Sequence, residues 1–310
     1  MKKAAIITGY ACNNNCAFCY DSEKREQGIA DLSTADVIER IRFARERGCE
    51  YLDFLGGEFT IRKDALYLVS YAKKLGFKII SVTTNGRAFS YMQLLQRFID
   101  SGVNSIVFSI HGHTDELHDM QTMVKGSFRQ AKKAVANAKK LNIPISTNTT
   151  ITRLNLNELP EIGRFLYDLG SRNAEFVFLD PTTGRGNTDF ERLMPGIKES
   201  AGPIKKLLDI GIQHRIGHWH IRYYPMCYIK GYEDRVSEYD EKKSFELDMH
   251  LGPEFINMDA QGSRKDIGKI KPESCRMCVF DNMCEGVWKR YAEIRGTEEL
   301  VPVSGDIIKK

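Results

Sequence analysis

The sequence predicts an α/β protein: a partial (β/α)6 TIM-like barrel on a parallel sheet, followed by a smaller cysteine-rich domain. Three observations predict it. Short apolar, β-branched runs alternate with helical segments six times, at a spacing of about 30 residues. The alternation stops near residue 215, where Tyr, Gly, Pro and charge take over. Cysteines cluster in two places, directly after the first run and near the C-terminal end.

The first run, Ala4–Thr8, follows two lysines. Its apolar stretch is short and no small-residue cleavage site follows, so it reads as a strand and not as a secretory leader. Tyr51–Leu55, Lys78–Thr83, Ser105–Ile110, Ile145–Ile151 and Glu175–Leu179 supply five more strands. Between them, Val37, Ile41 and Ala44 keep helical spacing up to Gly48, a helix stop. Ala65–Leu75 ends at Gly76, Met92–Ile99 before Gly102, Phe128–Leu141 before Pro144, and Leu159–Leu169 at Gly170. Helices of this length provide the right-handed crossovers that parallel strands need. Six units fall short of the eight that close a barrel, which makes it open or partial. The division falls at about residue 215, giving domains 1–215 and 216–310. Within the second, Tyr223–Tyr239 reads as a solvated linker, with the lining of a substrate mouth as the alternative.

Composition excludes several classes. The 310 residues carry 45 Lys+Arg against 41 Asp+Glu, a net charge of +4, with 42% hydrophobic residues. A disordered chain has fewer apolar residues and more net charge. The charge is small and holds no long basic run, so no nucleic-acid partner is expected. No apolar run reaches the roughly 18 residues of a membrane span. A cytoplasmic location follows, and there eight cysteines read as metal ligands or catalytic thiols and not as disulfides.

The sharpest motif is Cys12-Asn-Asn-Asn-Cys16-Ala-Phe-Cys19, directly after the first strand. Loops at the C-terminal ends of barrel strands carry the chemistry of such folds. Three thiolates this close can converge on one metal centre. A [4Fe–4S] cluster takes four thiolates, so three leave one iron open. Zinc competes, but its tetrahedral sites pair Cys-x2-Cys with a second distant pair. A second motif, Cys275-x2-Cys278-x5-Cys284-Glu-Gly286, also lacks a fourth ligand, and Cys227 is the candidate. Cys49 reads as a buried apolar cysteine. No residue stands out as a catalytic base or protein radical.

Cys12, Cys16 and Cys19, with Phe18 before the last cysteine, match the signature of the radical S-adenosylmethionine (SAM) enzymes, and residues 3–215 resemble that family. The resemblance implies a partial (β/α)6 barrel. It also implies a [4Fe–4S] cluster on these three cysteines, with SAM chelated through its amino and carboxylate groups to the open iron. In that family an electron from the reduced cluster cleaves SAM to methionine and a 5′-deoxyadenosyl radical, which takes a hydrogen atom from the substrate. By the same resemblance, Gly56, Gly57 and Glu58 bind the SAM amino group. Thr84 and Asn85 belong to the family's Thr-Asn-Gly turn. Ser109 lies near the SAM ribose and carboxylate, and Asn148 reaches the ribose. Phe18 packs by the adenine, the Tyr20 backbone bonds its edge, and Arg185 takes the SAM or substrate carboxylate. Without the resemblance, Gly-Gly-Glu and Asn-Gly read only as turns. His111, His113 and His118 read as surface or substrate contacts.

The distal cysteines resemble the family's auxiliary-cluster extensions, SPASM in the longer form and twitch in the shorter. Trp288 stands where SPASM has a further cysteine. The resemblance therefore implies one auxiliary [4Fe–4S] cluster on Cys227, Cys275, Cys278 and Cys284, with a four-thiolate zinc site as the alternative. It implies oxidation or bond formation on a peptide or partner protein, with electrons from a flavodoxin or ferredoxin. A sugar, nucleotide or cofactor precursor is the alternative substrate. Peptide-modifying members often carry an N-terminal recognition domain, whereas this chain opens on strand one. A non-enzymatic iron–sulfur carrier or zinc-binding module is the remaining class.

Overall fold

The computed structural model describes residues 1–308, with the side chains of 240–243 outside the description. Nine strands form one sheet: β1 (Lys2–Ile7), β2 (Tyr51–Leu55), β3 (Ile79–Thr84), β4 (Ser105–Ser109), β5 (Ile145–Ile151), β6 (Asn173–Phe178), β7 (His218–Arg222), β8 (Leu247–Leu251) and β9 (Ile256–Asn257). Their order is β7-β6-β5-β4-β3-β2-β1-β8-β9. Every pairing from β1 to β8 is parallel, and only β9 runs antiparallel. The sheet is an open, partial barrel, and all six expected strands lie in it.

The crossover helices are α1 (Thr34–Glu46), α2 (Ala65–Lys74), α3 (Met92–Ser101), α4 (Asp115–Thr122), α5 (Ser127–Lys140), α6 (Leu159–Asp168) and α7 (Ile197–Gln213). Ser33 starts α1 with a reciprocal capping box to Asp36, which satisfies two orphan donors of the first turn. The core lies between the sheet and these helices. Ile6, Leu52, Phe54, Val82, Ile106 and Phe108 are fully buried, as are Val37, Ile41, Leu68, Val69, Leu95 and Ala134 of the helices. Burial of each such large side chain contributes about 1.5–3 kcal/mol. Side chains alternate along a strand, so the opposite face carries Thr83, Ser109, Ser146, Asn148, Thr150, Glu175 and Arg222. It is polar, and Arg222 pairs with Glu175 there at 2.7 Å.

Three findings concern the chain beyond β6. The expected break at about 215 does not end the sheet, because β7 joins β6 and β8 returns to pair with β1. The longest helix, α7, was not expected; Gly163 of α6 lies against its Leu207 and Ile210. Tyr223–Tyr239 is not a solvated linker. Tyr224, Met226, Ile229 and Val236 are buried, and the Tyr224, Tyr228 and Tyr232 hydroxyls donate to Ile197 O, Glu299 O and Asp209 Oδ1. Beyond the sheet, β10 (Lys269–Ile270) pairs antiparallel with β11 (Val287–Trp288), and the three distal cysteines lie on the loop between them. Residues 309–310, the end of the expected second domain, lie outside the described ones.

Candidate active site

Parallel strands bring the loops after β1 to β6 to one edge of the sheet. The loop after β1 carries Cys12, Cys16 and Cys19, all partly exposed. Asp31 Oδ1 accepts from Tyr10 N at 2.6 Å and Ala11 N at 3.2 Å, and Thr122 O and Gln121 O of α4 accept from Asn15 N and Ala17 N. Burial pushes the Cys12 thiol up to about 11 and Cys16 up to about 12; the Asn14 N–H opposes it at Cys12. Burial also raises Cys19. Thiols of this kind ionise when a metal compensates their charge, releasing protons as it binds.

The Gly56-Gly57-Glu58 turn after β2 lies against this loop. Glu58 N donates to Ala11 O at 2.8 Å. Gly57 has φ +51°, and a Cβ there would stand 2.2 Å from Ala11 O, so only glycine allows the approach. Glu58 is buried and ties β2 to β3. Its Oε1 accepts from Thr60 N (3.2 Å), Thr60 Oγ1 (2.6 Å) and Thr84 Oγ1 (2.8 Å), and its Oε2 from Asn85 N (2.7 Å). Burial raises its pKa against the pull of these bonds. The Glu58 carboxylate and the Thr84 hydroxyl, which also accepts from Gly86 N, are thus committed to bracing the two turns. The exposed part of the element is the glycine backbone.

Asn85 reaches the cysteine loop directly, its Nδ2 donating to Asn13 Oδ1 at 2.7 Å and lying 3.8 Å from Cys12 Sγ. Ser109, the last residue of β4, is the register partner of Asn148 in the middle of β5, both half-buried. Phe18 packs edge-on against His111 at 4.7 Å. The Tyr20 ring is exposed, and its carbonyl accepts from Thr183 Oγ1 at 3.0 Å. The guanidinium of Arg185 braces the loop, with Nη1 donating to Asn15 O at 2.6 Å and Cys16 O at 2.9 Å.

Two of the three histidines are not surface contacts. His111 and His118 are buried. Their Nδ1 atoms accept from Thr150 N and His111 N. Burial pushes His118 down to about 4 and His111 well below its ordinary value, keeping both neutral. His113 is partly exposed, 3.8 Å from Glu158. Sequence reasoning missed Arg25 and Arg87, whose guanidiniums donate to Asn14 O and Asn13 O of the cysteine loop. Arg87 follows the Thr-Thr-Asn-Gly turn directly, which placed it near the loop; Arg25 carried no signal.

The distal cysteines also converge. Cys227, Cys275, Cys278 and Cys284 line one pocket with Lys271 and the backbone near Val301. Met226 N and Gly286 N donate to Cys284 Sγ at 3.5 and 3.3 Å, and Val303 N to Cys278 Sγ at 3.4 Å. Such N–H donors favour thiolates. Burial raises Cys227 to about 12 and Cys275 to about 11. Among the described residues, no three His, Cys, Asp or Glu side chains are grouped tightly enough to hold one ion. Cys49 is fully buried, as expected.

A family model, the Radical SAM superfamily, matches residues 6–166, just over half of the chain. The chain belongs to the Radical SAM superfamily. It is an enzyme, and membership implies a [4Fe–4S] cluster and SAM. Three thiols on one loop, with a glycine turn packed beside them, fit that pair of cofactors. An AdoMet-dependent heme synthase of Oleidesulfovibrio alaskensis is 31% identical over 56% of this chain and 44% of its own length. A probable GTP 3′,8-cyclase of Sulfurisphaera tokodaii is 26% identical over 71% of this chain and 68% of its own. The chain thus spans about half the length of the heme synthases it matches, 44% and 54%. In fold, native anSMEcpe with bound AdoMet covers 99% of this chain and 93% of its own at TM-score 0.67 and 14% identity. SuiB of Streptococcus suis, bound to precursor peptide SuiA, covers 97% and 75% at TM-score 0.65 and 16% identity. At these identities the likeness concerns the fold. No helix among the described residues is long and apolar enough to cross a membrane.

Proposed function

We propose that this radical SAM enzyme oxidises, or forms a bond in, a peptide or partner protein, using a second iron–sulfur centre. Cys12, Cys16 and Cys19 hold the SAM-binding cluster. The glycine backbone of the Gly56-Gly57 turn, Ser109, Asn148 and Phe18 surround SAM. When bound, that pair of cofactors supplies a radical able to remove a substrate hydrogen. The chain's own part is to hold the loop still and to present a polar lumen, with Thr150, Glu175 and Arg222, to the substrate. The division at about residue 215 separates the SAM-binding part from the part that bears the second centre, although 216–257 also adds strands to the sheet.

The observation that carries the reading is the single pocket lined by Cys227, Cys275, Cys278 and Cys284. Zinc–sulfur bonds of about 2.3 Å draw four sulfurs tightly around one ion. A cluster whose irons occupy separate corners takes four thiolates from a wider pocket, and the resemblance of the cysteine spacing to the auxiliary-cluster extensions favours it here. With all four cysteines as ligands, no iron is left for substrate, and the centre serves electron transfer. The peptide substrate rests on the likeness in fold to SuiB and anSMEcpe, whose structures hold peptides.

A second reading, chemistry on a small molecule such as a nucleotide or cofactor precursor, is favoured by the names of the sequence relatives. Anaerobic incubation with SAM and dithionite tests both. The enzyme should release 5′-deoxyadenosine and methionine, and Cys16→Ala should abolish it. Loss of two hydrogens from an added peptide supports the first reading; turnover of GTP or a porphyrin with peptides inert supports the second. No SAM cleavage under any of these conditions would refute both.

A further inference from the structure

Three guanidinium groups from distant parts of the chain converge on four consecutive carbonyls of the cysteine loop. Arg87, after β3, donates to Asn13 O and reaches Asn14 Oδ1 at 3.3 Å. Arg25, in the short helix Ser22–Glu26, donates to Asn14 O at 3.0 Å and Asn15 Oδ1 at 2.7 Å. Arg185, after β6, takes Asn15 O and Cys16 O. Its backbone N–H also takes Cys19 O, at 3.0 Å. Arg87 is further held by Gln130 at 2.7 Å. Among the described residues, the acid paired with the set is Glu26, 3.8 Å from Arg185 and largely exposed.

We propose that Arg25, Arg87 and Arg185 poise the cysteine-loop centre for reduction: they are positioning residues whose fixed positive charge favours its reduced state. The inference rests on the assignment of a cluster to Cys12, Cys16 and Cys19. A carbonyl needs only one neutral donor, and water or an amide would serve. Guanidiniums remain charged at every working pH and hold a carbonyl in a planar fork. Arg25 and Arg185 act on the cysteine sulfurs directly, against the neighbouring Glu58 and Asp21 carboxylates, and with Arg87 on the same loop they oppose the negative charge that each added electron increases. The site is partly buried, so these charges are screened less than on an open surface. The step is a one-electron transfer from an external low-potential donor. The donor loses one electron, the centre gains one, and the arginines keep their protons throughout.

The test uses the full-length reconstituted protein and dithionite-poised EPR titration of the signal that SAM perturbs. Arg25→Gln and Arg87→Gln remove one charge each and keep a donor. Arg25→Lys and Arg87→Lys keep the charge and lose the fork. At the potential that half-reduces the natural centre, each Gln variant should show a roughly tenfold higher oxidised-to-reduced ratio, about 59 mV for one electron. The Lys variants should titrate with the natural protein. Gln variants that fail to assemble the centre while Lys variants assemble it also support a role for charge. Gln variants that titrate unchanged, Lys variants that shift as far as Gln, or loss of the centre in both would overturn the proposal, leaving the arginines as mechanical braces. Iron that does not depend on Cys12, Cys16 and Cys19 in the natural protein would refute the cluster assignment itself, and that is read from metal content before any titration.

Discussion

Glu58 is the joint between the two turns that flank the cysteine loop, and Glu58→Ala measures how firmly it holds them. Truncation removes the acceptor of four hydrogen bonds, two from backbone N–H groups and two from hydroxyls. The hydroxyls can rotate to other acceptors. The Thr60 and Asn85 N–H groups cannot, and an unsatisfied buried donor costs about 1–3 kcal/mol. The two together amount to about 2–6 kcal/mol. Removing a carboxylate that is itself costly to bury offsets part of this, so the expected loss is about 3 kcal/mol. Urea unfolding of iron-free protein, followed by far-UV circular dichroism, measures it. Glu58→Gln keeps one acceptor oxygen and should lose less. Because Thr84 Oγ1 donates to the same oxygen, adding Thr84→Val should cost less than its separate effect, with a coupling of about 1 kcal/mol. A Glu58→Ala protein within about 0.5 kcal/mol of the natural one, the range of an ordinary surface change, would refute this account of the joint.

Gly57→Ala sets a Cβ 2.2 Å from Ala11 O at φ +51°; urea unfolding should show a loss of at least about 2 kcal/mol, and reconstituted iron at the first centre should fall. Cys49→Ala should leave iron content unchanged and cost about 1 kcal/mol in the same unfolding assay, whereas Cys227→Ala should lower iron content. Asp119 binds Phe128 N, Ser127 Oγ and Gly126 N at the start of α5. Burial pushes its carboxyl up, but these bonds together hold it below its ordinary 3.8. Its stabilisation is therefore present above the unfolded value and lost as pH falls through the folded one. Asp119→Asn should be less stable than the natural protein at neutral pH, with the gap closing below about pH 4.

The six barrel strands were legible because their buried outward faces are apolar or β-branched, threonines of β5 included, and their helices end at Gly76, Gly102 and Gly170. The strands β7 and β8 were not. His-Trp-His-Ile-Arg and Leu-Asp-Met-His-Leu alternate apolar residues with charged or imidazole ones, and only a polar lumen accommodates that pattern. Gly202, Pro203 and Gly211 mask α7 as a broken segment, although Ile204, Leu207 and Leu208 are buried along it. The cysteine motifs were legible through spacing alone. The roles of Glu58, Thr84 and Arg185 were not, because a motif names residues that lie near a ligand without telling which of them brace the others. Tyr224 and Tyr228 looked solvated from composition, yet their hydroxyls donate to the Ile197 and Glu299 carbonyls, which allows the Tyr224 ring to be buried and the Tyr228 ring partly so.

The most direct test of the central claim, two separate iron–sulfur centres on two sets of cysteines, is iron and acid-labile sulfide per chain after anaerobic reconstitution. The natural protein should hold about eight iron, the content of two [4Fe–4S] clusters, and a Cys12/Cys16/Cys19→Ala triple variant about four. A natural protein with about four iron and a triple variant with none would contradict the claim, leaving the distal cysteines to zinc or to no metal at all.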